Sequence, residues 1–472
     1  MEQITKSLEK NRRILDDKIG VGRNFDVISR DLMIGGRSAR LYVLDGYGDD
    51  GVIERIVSFL LQVQPEDMES TTDMDQVIRR FVTFGEVNTE NRLREILTGV
   101  FLGKMALIIE GFDYCALIDA KTFPSRGVQE PSDGRVLRGA HDGFVEVLLQ
   151  NTSLIRRRIR DENLTLENHK VGANSRSDIV LAYMEDRVDQ KLLEEIRRKL
   201  ARINVGSITM SQESVAEAMM APQWYNPFPK VRYTERPDTA AACIMEGFVV
   251  LLVDNSPSVM LLPTHFFDFM EEANDYYFPP LIGTYLRYIR IAVFILSLVI
   301  TPIWYLLAKS PHMVPDWLQF VTVEEEGHVP LLAQLLLVEF LIDLLKLASL
   351  NTPDVLSSSF SMIGALILGD FAVQARWLVP EVLVYMAFVS IASFAQPSFE
   401  LGYAFKLMRV VLLILIAIAD WWGFAAGMVL LLVLLFTTKP IVGRGYMYPV
   451  WPFDKEALSR LLIRKPINRD NS

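Results

Sequence analysis

The hydrophobic rhythm of the chain changes once, near residue 287. Before it, apolar and polar residues alternate in short runs; after it, long apolar stretches follow one another with few charges. In the first part, Asp31–Gly36 and Ala39–Gly46 are short apolar runs around a glycine-containing turn, and Asp50–Gln64 has the spacing of an amphipathic helix. Thr89–Leu102 is expected as a helix capped by Asn88 or Thr89, followed by a hairpin of Lys104–Glu110 and Tyr114–Ala120. Pro124–Gly139, rich in Gly, Pro, Ser and Arg, reads as a linker between two subdomains. Past it the pattern predicts a helix over 141–160, strands over 163–171 and 177–184, and a charged helix over Gln190–Ile203. Ile244–Val253 and Val259–Pro263 give a hairpin signal too short for a membrane helix.

In the second part, Tyr288–Ala308 is 21 nearly uncharged residues, enough to cross a hydrocarbon core of about 30 Å. Pro302 is expected to kink it, and Trp304 and Tyr305 suit an interface. Val329–Leu350 reads as a second span that contains Glu339, Asp343 and Lys346; Phe360–Gln374 as a third, with Asp370; Glu381–Ala395 as a fourth. Val410–Thr438 is apolar over 29 residues but broken at Asp420-Trp421-Trp422-Gly423. Two readings are open: two half-length helices in a hairpin that dips in and returns, which we favour, or one tilted helix. Arg287 and Arg290 at the first span, against Glu324-Glu325-Glu326 after it, place the N-terminus inside. Four spans then bring Lys406 and Arg409 back inside, and the hairpin leaves the tail, with Lys439, Arg444, Arg460, Arg464 and Lys465, on the same side.

The expected architecture is an α+β/α membrane protein. A cytoplasmic α/β module of two small subdomains, 1–123 and 135–230, leads through a hairpin-containing connector, 231–287, to a multi-span α-helical membrane domain. That domain, 288–438, has four spans plus a re-entrant or fifth helical segment, and 439–472 is a basic cytoplasmic tail.

Composition sharpens this division. The chain has 472 residues, half of them hydrophobic, and a net charge of −10, yet its mean hydropathy is +0.23. Residues 1–287 carry 35 Lys+Arg against 44 Asp+Glu, a net of −9; 288–438 carry 6 against 11; 439–472 carry 7 against 3, a net of +4. The positive mean is therefore an average over an acidic module and an apolar one. A single water-soluble enzyme domain is excluded, and the acidic balance argues against a nucleic-acid partner. Cys115 and Cys243 read as reduced, buried thiols, with no disulfide framework or CxxC site. The charged first twenty residues have no apolar core and are not a signal peptide.

No phosphate loop, dinucleotide fingerprint, nucleophile elbow or zinc-protease motif occurs, and the five histidines do not cluster with cysteines or acids at metal spacing. No enzymatic activity, cofactor or metal is expected. What remains is charge within the membrane half. Glu339 and Asp343, four apart, share a helix face, with Lys346 three further on. A carboxylate at mid-bilayer costs at least about 2.5–3.5 kcal/mol, so this face turns toward protein or water. It is either a carboxylate-lined ion pathway or a structural Asp343–Lys346 pair beside a snorkelling Glu339. Asp370, after Gly364 and Gly369, is either a pathway residue or a helix–helix hydrogen-bond partner. Asp420 is expected to cap the hairpin tip, with Trp421 and Trp422 as interface anchors. So few spans cannot enclose a wide aqueous path, so conduction calls for a homo-oligomer whose ring of acids favours cations.

The residues Pro227–Asp238 (PFPKVRYTERPD) and Glu246–Asp254 (EGFVVLLVD) resemble the A-subunit family of GerA-type spore germination proteins. So do Arg138-Gly139, Gly143-Phe144 and Asn151–Arg156, and in the membrane half Val329-Pro330, Glu339, Ile363–Gly369, Ala372-Val373 and Ile391–Phe394. The likeness covers about 135–450. Gly327–Pro330, Asp343–Lys346, Asn351–Asp354 and Gln396–Leu401 depart from nutrient-receptor subunits and look more like the family's stage V sporulation protein AF branch. The resemblance implies a protein of the spore inner membrane that acts in germination as an oligomeric channel for monovalent cations, with membrane or lipoprotein partners. A non-conducting scaffold for the germination or dipicolinic-acid release machinery is one rival; a nutrient receptor subunit, which the departures count against, is another. Within the family-like run, Arg236 and Asp238 flank Pro237 just before an expected strand. A turn held by their ion pair is the favoured reading, and a gating role for Glu235, Arg236 and Asp238 the alternative. Lys346 and Asp420 are likewise gating or structural candidates.

Overall fold

The computed structural model describes residues 3–82, 85–120, 139–206, 208–220, 223–272, 274–323, 327–351 and 372–464. They form two compact units. One comprises 1–221, 231–264 and 441–443; the other comprises 222–230, 265–440 and 444–472.

The N-terminal unit starts from helix α1 (Leu8–Ile19) and a tight hairpin, β1 (Val27–Ile34) and β2 (Arg37–Leu44). Gly35 and Gly36, with φ of 52° and 76°, make the turn that lets Ile34 face Arg37. Helices α2 (Asp50–Leu61), α3 (Pro65–Glu69) and α4 (Met74–Phe81) follow. Then come β3 (Val87–Glu90), α5 (Leu93–Phe101), β4 (Met105–Ile109) and β5 (Cys115–Ile118). The strands pair antiparallel in the order β1-β2-β4-β5-β3. Alternation along the strands divides the core in two. Leu41, Val43 and Leu107 face α2 to α4, whereas Tyr42, Leu44 and Ile108 face α1 and α5.

The second subdomain repeats this plan. Helix α6 (Leu148–Arg158) precedes β6 (Leu164–Val171) and β7 (Ser177–Met184); α7 (Gln190–Ala201) and α8 (Ser211–Met219) precede β8 (Arg232–Thr234). Helix α9 (Pro237–Met245), β9 (Val249–Val253) and β10 (Val259–Leu262) complete it, in the sheet order β6-β7-β9-β10-β8. Leu181 and Leu251 pack with α7 and α8, and Val180 and Leu252 with α6 and α9. The two sheets thus have the same antiparallel topology, an α+β arrangement in which β1–β2, β4–β5, β6–β7 and β9–β10 are consecutive hairpin pairs and the other neighbours are brought together through intervening helices.

Four expectations need correcting here. Thr89 and Glu90, expected to open a helix, belong to the edge strand Val87–Glu90 paired with Cys115–Ile118, and the helix starts only at Leu93. The helix expected over 141–160 starts at Leu148, because the Asn151 side chain binds both the N–H and the C=O of Val145 and holds that residue in a loop. Pro237 opens helix α9 rather than preceding a strand, its fixed φ suiting the first helical position. The stretch expected as a connector supplies three strands to the second sheet. Of the linker at 124–139, all but Gly139 lies outside the described residues.

One buried ion pair ties the two subdomains. Arg156 on α6 donates through two nitrogens to Asp26, just before β1, and the side chains are 1% and 3% exposed. The Asn24 side chain accepts from Leu166 N–H at 2.8 Å, and Tyr47 Oη donates to Ser153 O at 2.8 Å across the same junction.

In the membrane-type unit, α10 (Asn274–Tyr277) leads into α11 (Pro280–Lys309). The other helices are α12 (Leu331–Asn351), α13 (Pro380–Phe394), α14 (Phe399–Thr437) and the short α15 (Lys455–Leu462). Among the described residues, α11 and α14 are long and apolar enough to cross a membrane. Helix α14 is broken at Ala419 and Asp420, where Asp420 has φ 45° and ψ −123°. A Cβ on Gly423 would fall 2.0 Å from Leu415 O, and one on Gly427 would fall 2.5 Å from Leu412 Cδ2. Such contacts across eight and fifteen positions require the two arms to fold back on each other, with small residues at the seam. The hairpin reading therefore describes this segment. Its first arm starts at Phe399, not Val410, because Lys406 and Arg409, expected in a loop, are helical.

Two measurements test the N-terminal unit. Asp26→Ala strands the buried Arg156 charge and is expected to destabilise the unit by about 3–5 kcal/mol, read as a lower thermal unfolding midpoint of the purified chain; the apolar pair Asp26→Leu/Arg156→Met should restore most of it. Burial pushes the Cys115 thiol up to about 12, so iodoacetamide at neutral pH should leave Cys115 unmodified in the folded protein and alkylate it once denaturant is added.

Candidate functional site

Ionisable side chains converge inside the helical unit where α11, α12, α13 and the first arm of α14 meet. Helices α11 and α14 are held in parallel there. Phe294 and Phe405 rings lie 5.6 Å apart, Arg409 Nη1 donates to Ser297 O at 2.5 Å, and Lys309 Nζ donates to Ile416 O and Ala417 O at 3.3 Å each. Residues in increasing order along α11 thus meet residues in increasing order along α14. The last contact has a clear cause. The break at Ala419 orphans carbonyls at the end of the first arm, and the ammonium of Lys309 satisfies two of them. Lys309 also pairs with Asp420 at the tip. Trp421 and Trp422 project beside it, 45% and 83% exposed.

Glu339 and Arg409 form the centre of the cluster. Arg409 Nε donates to Glu339 Oε1 at 2.6 Å, and both residues are buried. Lys406 Nζ donates to Glu339 O at 3.0 Å, lies 3.4 Å from Glu339 Oε2 and pairs with the Asp343 carboxylate. Lys346 Nζ donates to Ser393 Oγ on α13 at 3.0 Å and sits 5.6 Å from the Phe394 and Tyr403 ring centres. Gln396 donates from Nε2 to Ser297 Oγ at 3.1 Å. These groups line a cavity of about 30 Å³, room for about one water.

The two acids expected to share a face do so, and each meets a cation from α14. Glu339 does not snorkel toward a helix end; it is 3% exposed and paired. Among the described residues, two carboxylates stand against the three cations Lys346, Lys406 and Arg409. Sequence reasoning placed Lys406 and Arg409 in a loop as orientation signals. Their spacing of three in an apolar helix puts both on one face, as the spacing of four does for Glu339 and Asp343, and this is the signal that pairs the two helices. Asp370 lies outside the described residues.

Arg236 and Asp238 belong to the N-terminal unit. Arg236 donates to Asp238 from Nη2 at 2.6 Å and from Nε at 3.1 Å, and its Nη2 also reaches Ala140 O at 3.1 Å. Asp238 accepts from Thr239 N–H at 2.8 Å in the first turn of α9, and Glu235 O accepts from Phe144 N–H at 2.8 Å. Among the described residues no three His, Cys, Asp or Glu side chains converge to hold a metal ion.

Comparison with known proteins gives the family. The model described as Bacillus/Clostridium GerA spore germination protein matches residues 14–472. Stage V sporulation protein AF of Bacillus subtilis (strain 168) is 35% identical over 462 residues, 98% of this chain and 93% of the relative. Spore germination protein KA of the same organism is 32% identical over 471 residues, 98% of this chain and 85% of the relative. The crystal structure of the N-terminal domain of the A subunit of the Bacillus megaterium spore germinant receptor GerK3 aligns with a TM-score of 0.44 at 24% identity, over 56% of this chain and 98% of that one. On a family match that runs from residue 14 to the last residue, and on relatives that align over nearly its whole length, this chain belongs to the GerA family of spore germination proteins.

Proposed function

We propose that the chain is an integral protein of the spore inner membrane that assembles as a homo-oligomer, with membrane or lipoprotein partners, and conducts monovalent cations during germination. The N-terminal unit and the tail are cytoplasmic. The span expected over 360–374 lies, up to residue 371, outside the described residues. Helices α11, α12 and α13 are crossings, and α14 adds a hairpin. At 1.5 Å per residue, its arms of 20 residues (399–418) and 17 residues (421–437) measure about 30 Å and 26 Å.

The observation that carries this reading is the buried set of ionisable groups on α12 and α14. Desolvation of each charge costs several kcal/mol, and an apolar seam would hold two helices together without that cost. Charges kept at such a place serve a path for ions more readily than a plain structural contact. The pairing also sets a condition on conduction. Arg409 and Lys406 occupy the carboxylates, so a permeating cation finds Glu339 and Asp343 available only when α12 and α14 shift against each other. On this reading the paired cluster is the closed state, and the germination signal acts by parting it.

Two rivals have observations of their own. The completeness of the Glu339–Arg409 contact suits a non-conducting scaffold whose helices are pinned for docking a separate channel. A cavity of about 360 Å³ in the N-terminal unit, lined among others by Arg30, Asp45, Asp50 and Glu54, suits a receptor for a small polar ligand.

Liposome flux separates these. Glu339→Gln/Asp343→Asn is expected to reduce potassium flux by about tenfold, roughly 1.4 kcal/mol, with the oligomer intact by size-exclusion chromatography. Because that variant leaves Arg409 without its partner, Glu339→Gln/Arg409→Gln is measured beside it. Flux at the parent level in both variants removes the acids from the pathway, and absence of flux from the parent protein favours the scaffold.

A further inference from the structure

We infer that the end of the helical unit opposite the Asp420 tip is a surface for anionic lipid headgroups, with residues 447–464 as its binding element. The inference rests on the reading that α11 and α14 cross a membrane, and goes beyond it by assigning a lipid class to one face.

Three segments far apart in sequence are tied together at that end. Asn226 Nδ2 donates to Thr438 Oγ1 at 2.7 Å, where the second arm of α14 finishes, and Tyr446 Oη donates to Pro229 O at 2.8 Å. Arg287, near the start of α11, donates from Nη1 to Arg460 O at 2.9 Å and to Leu461 O at 3.0 Å. Arg464 N–H donates to Thr284 Oγ1 at 3.2 Å, and Arg464 Nη2 donates to Tyr276 O at 2.6 Å. The tail is thereby fixed against the first turns of α11 and does not hang free.

From this fixed frame aromatic side chains project outward. Trp224 is 96% exposed, Trp451 68% and Phe453 69%, and Tyr225, Tyr285 and Tyr288 are exposed as well. The turn that presents Trp451 and Phe453 is braced from within. Trp451 N–H donates to Met447 O, Asp454 N–H to Pro449 O, and Tyr448 Oη to Asp454 Oδ2 at 2.7 Å. Asp454 also caps α15 through Glu456 and Ala457 N–H. Large apolar rings held outward by a rigid turn belong at a headgroup boundary, where an apolar ring meets apolar chains and its polar edge stays wet. Tyr288 and Ala308, 20 positions apart on α11, are about 30 Å apart along the helix, the thickness of the hydrocarbon core. The Trp421 and Trp422 tip therefore marks the opposite boundary.

Charge selects the lipid. Between 439 and 464 there are five basic residues, Lys439, Arg444, Lys455, Arg460 and Arg464, against Asp454 and Glu456, a net of +3. Two acids near Arg287 and Arg290 are already paired. Asp275 is fully buried between Arg287 at 3.4 Å and Arg290 at 2.8 Å, and Glu272 pairs with Arg290 at 2.7 Å. A basic surface beside exposed aromatic rings fits anionic headgroups.

The full chain with Cys243→Ser and Phe453→Cys, labelled with a polarity-sensitive dye, is reconstituted in phosphatidylcholine alone and in a phosphatidylcholine–phosphatidylglycerol mixture. The expected result is a blue-shifted emission in the mixture that headgroup-region spin-labelled lipid quenches, and a several-fold weaker quenching in phosphatidylcholine alone. Lys455→Gln/Arg460→Gln, both exposed positions, should bring the mixture to the phosphatidylcholine level. Emission equally accessible to aqueous iodide in both membranes overturns the inference, and so does shielding that lipid composition leaves unchanged but dilution into monomers abolishes, the mark of a second copy. A companion Trp422→Cys variant, probed with an impermeant maleimide, separates the layers. Reaction on the side opposite Phe453→Cys keeps the crossing reading whatever the dye shows; reaction on the same side overturns both.

Discussion

Glu339 and Arg409 meet at 2.6 Å in the interior of an otherwise apolar helical unit, and an ion pair in such a place works as a constraint before it works as a bond. Neither charge tolerates the interior alone, since an unpaired partner costs about 3–5 kcal/mol. Helix α12 must therefore face α14 at one rotation and one height. Lys406 repeats the condition one turn away through Glu339 and Asp343, and Arg409 extends it to α11 through Ser297 O. Helices that share only apolar surface can slide; these three are indexed by charge.

The N-terminal unit relies on another principle. Its two subdomains have the same sheet order, and each is split by its strands into two apolar layers. Such layers fix each sheet strongly but say little about how two sheets join. That task falls to polar groups at the junction, Asn24, Asp26, Tyr47 and Arg156. In both units, apolar residues make the elements and a few buried polar groups set their alignment.

The same division explains what could be read from the chain. Hairpins such as Ile34–Arg37 and the strands 164–171 and 177–184 were legible because alternation and turn residues act locally. The break at Asp420 was legible because a charged and aromatic cluster interrupts an apolar run. Val87–Glu90 was not, since an edge strand of four residues is decided by its partner Cys115–Ile118. Nor was the true start of α14. Lys406 and Arg409 look like loop charges until Glu339 and Asp343 are placed opposite them, and no window of one helix contains that information. The repeat of the two subdomains escaped notice for a similar reason, because topology repeats there in the order of strands.

Arg287 gives the first crossing a history as well as a position. Its guanidinium ends on the carbonyls of Arg460 and Leu461, 173 and 174 residues later in the chain. While the protein is being made, those carbonyls do not yet exist and Arg287 has the earlier Asp275 beside it. On the proposed crossing it is a positive charge at the mouth of α11, the kind that holds a nascent segment on the side of synthesis. When the tail emerges, the same group becomes its fastening. On the proposed topology one side chain thus serves orientation early and closure late, and a chain truncated before residue 460 would lack the carbonyls that fasten it.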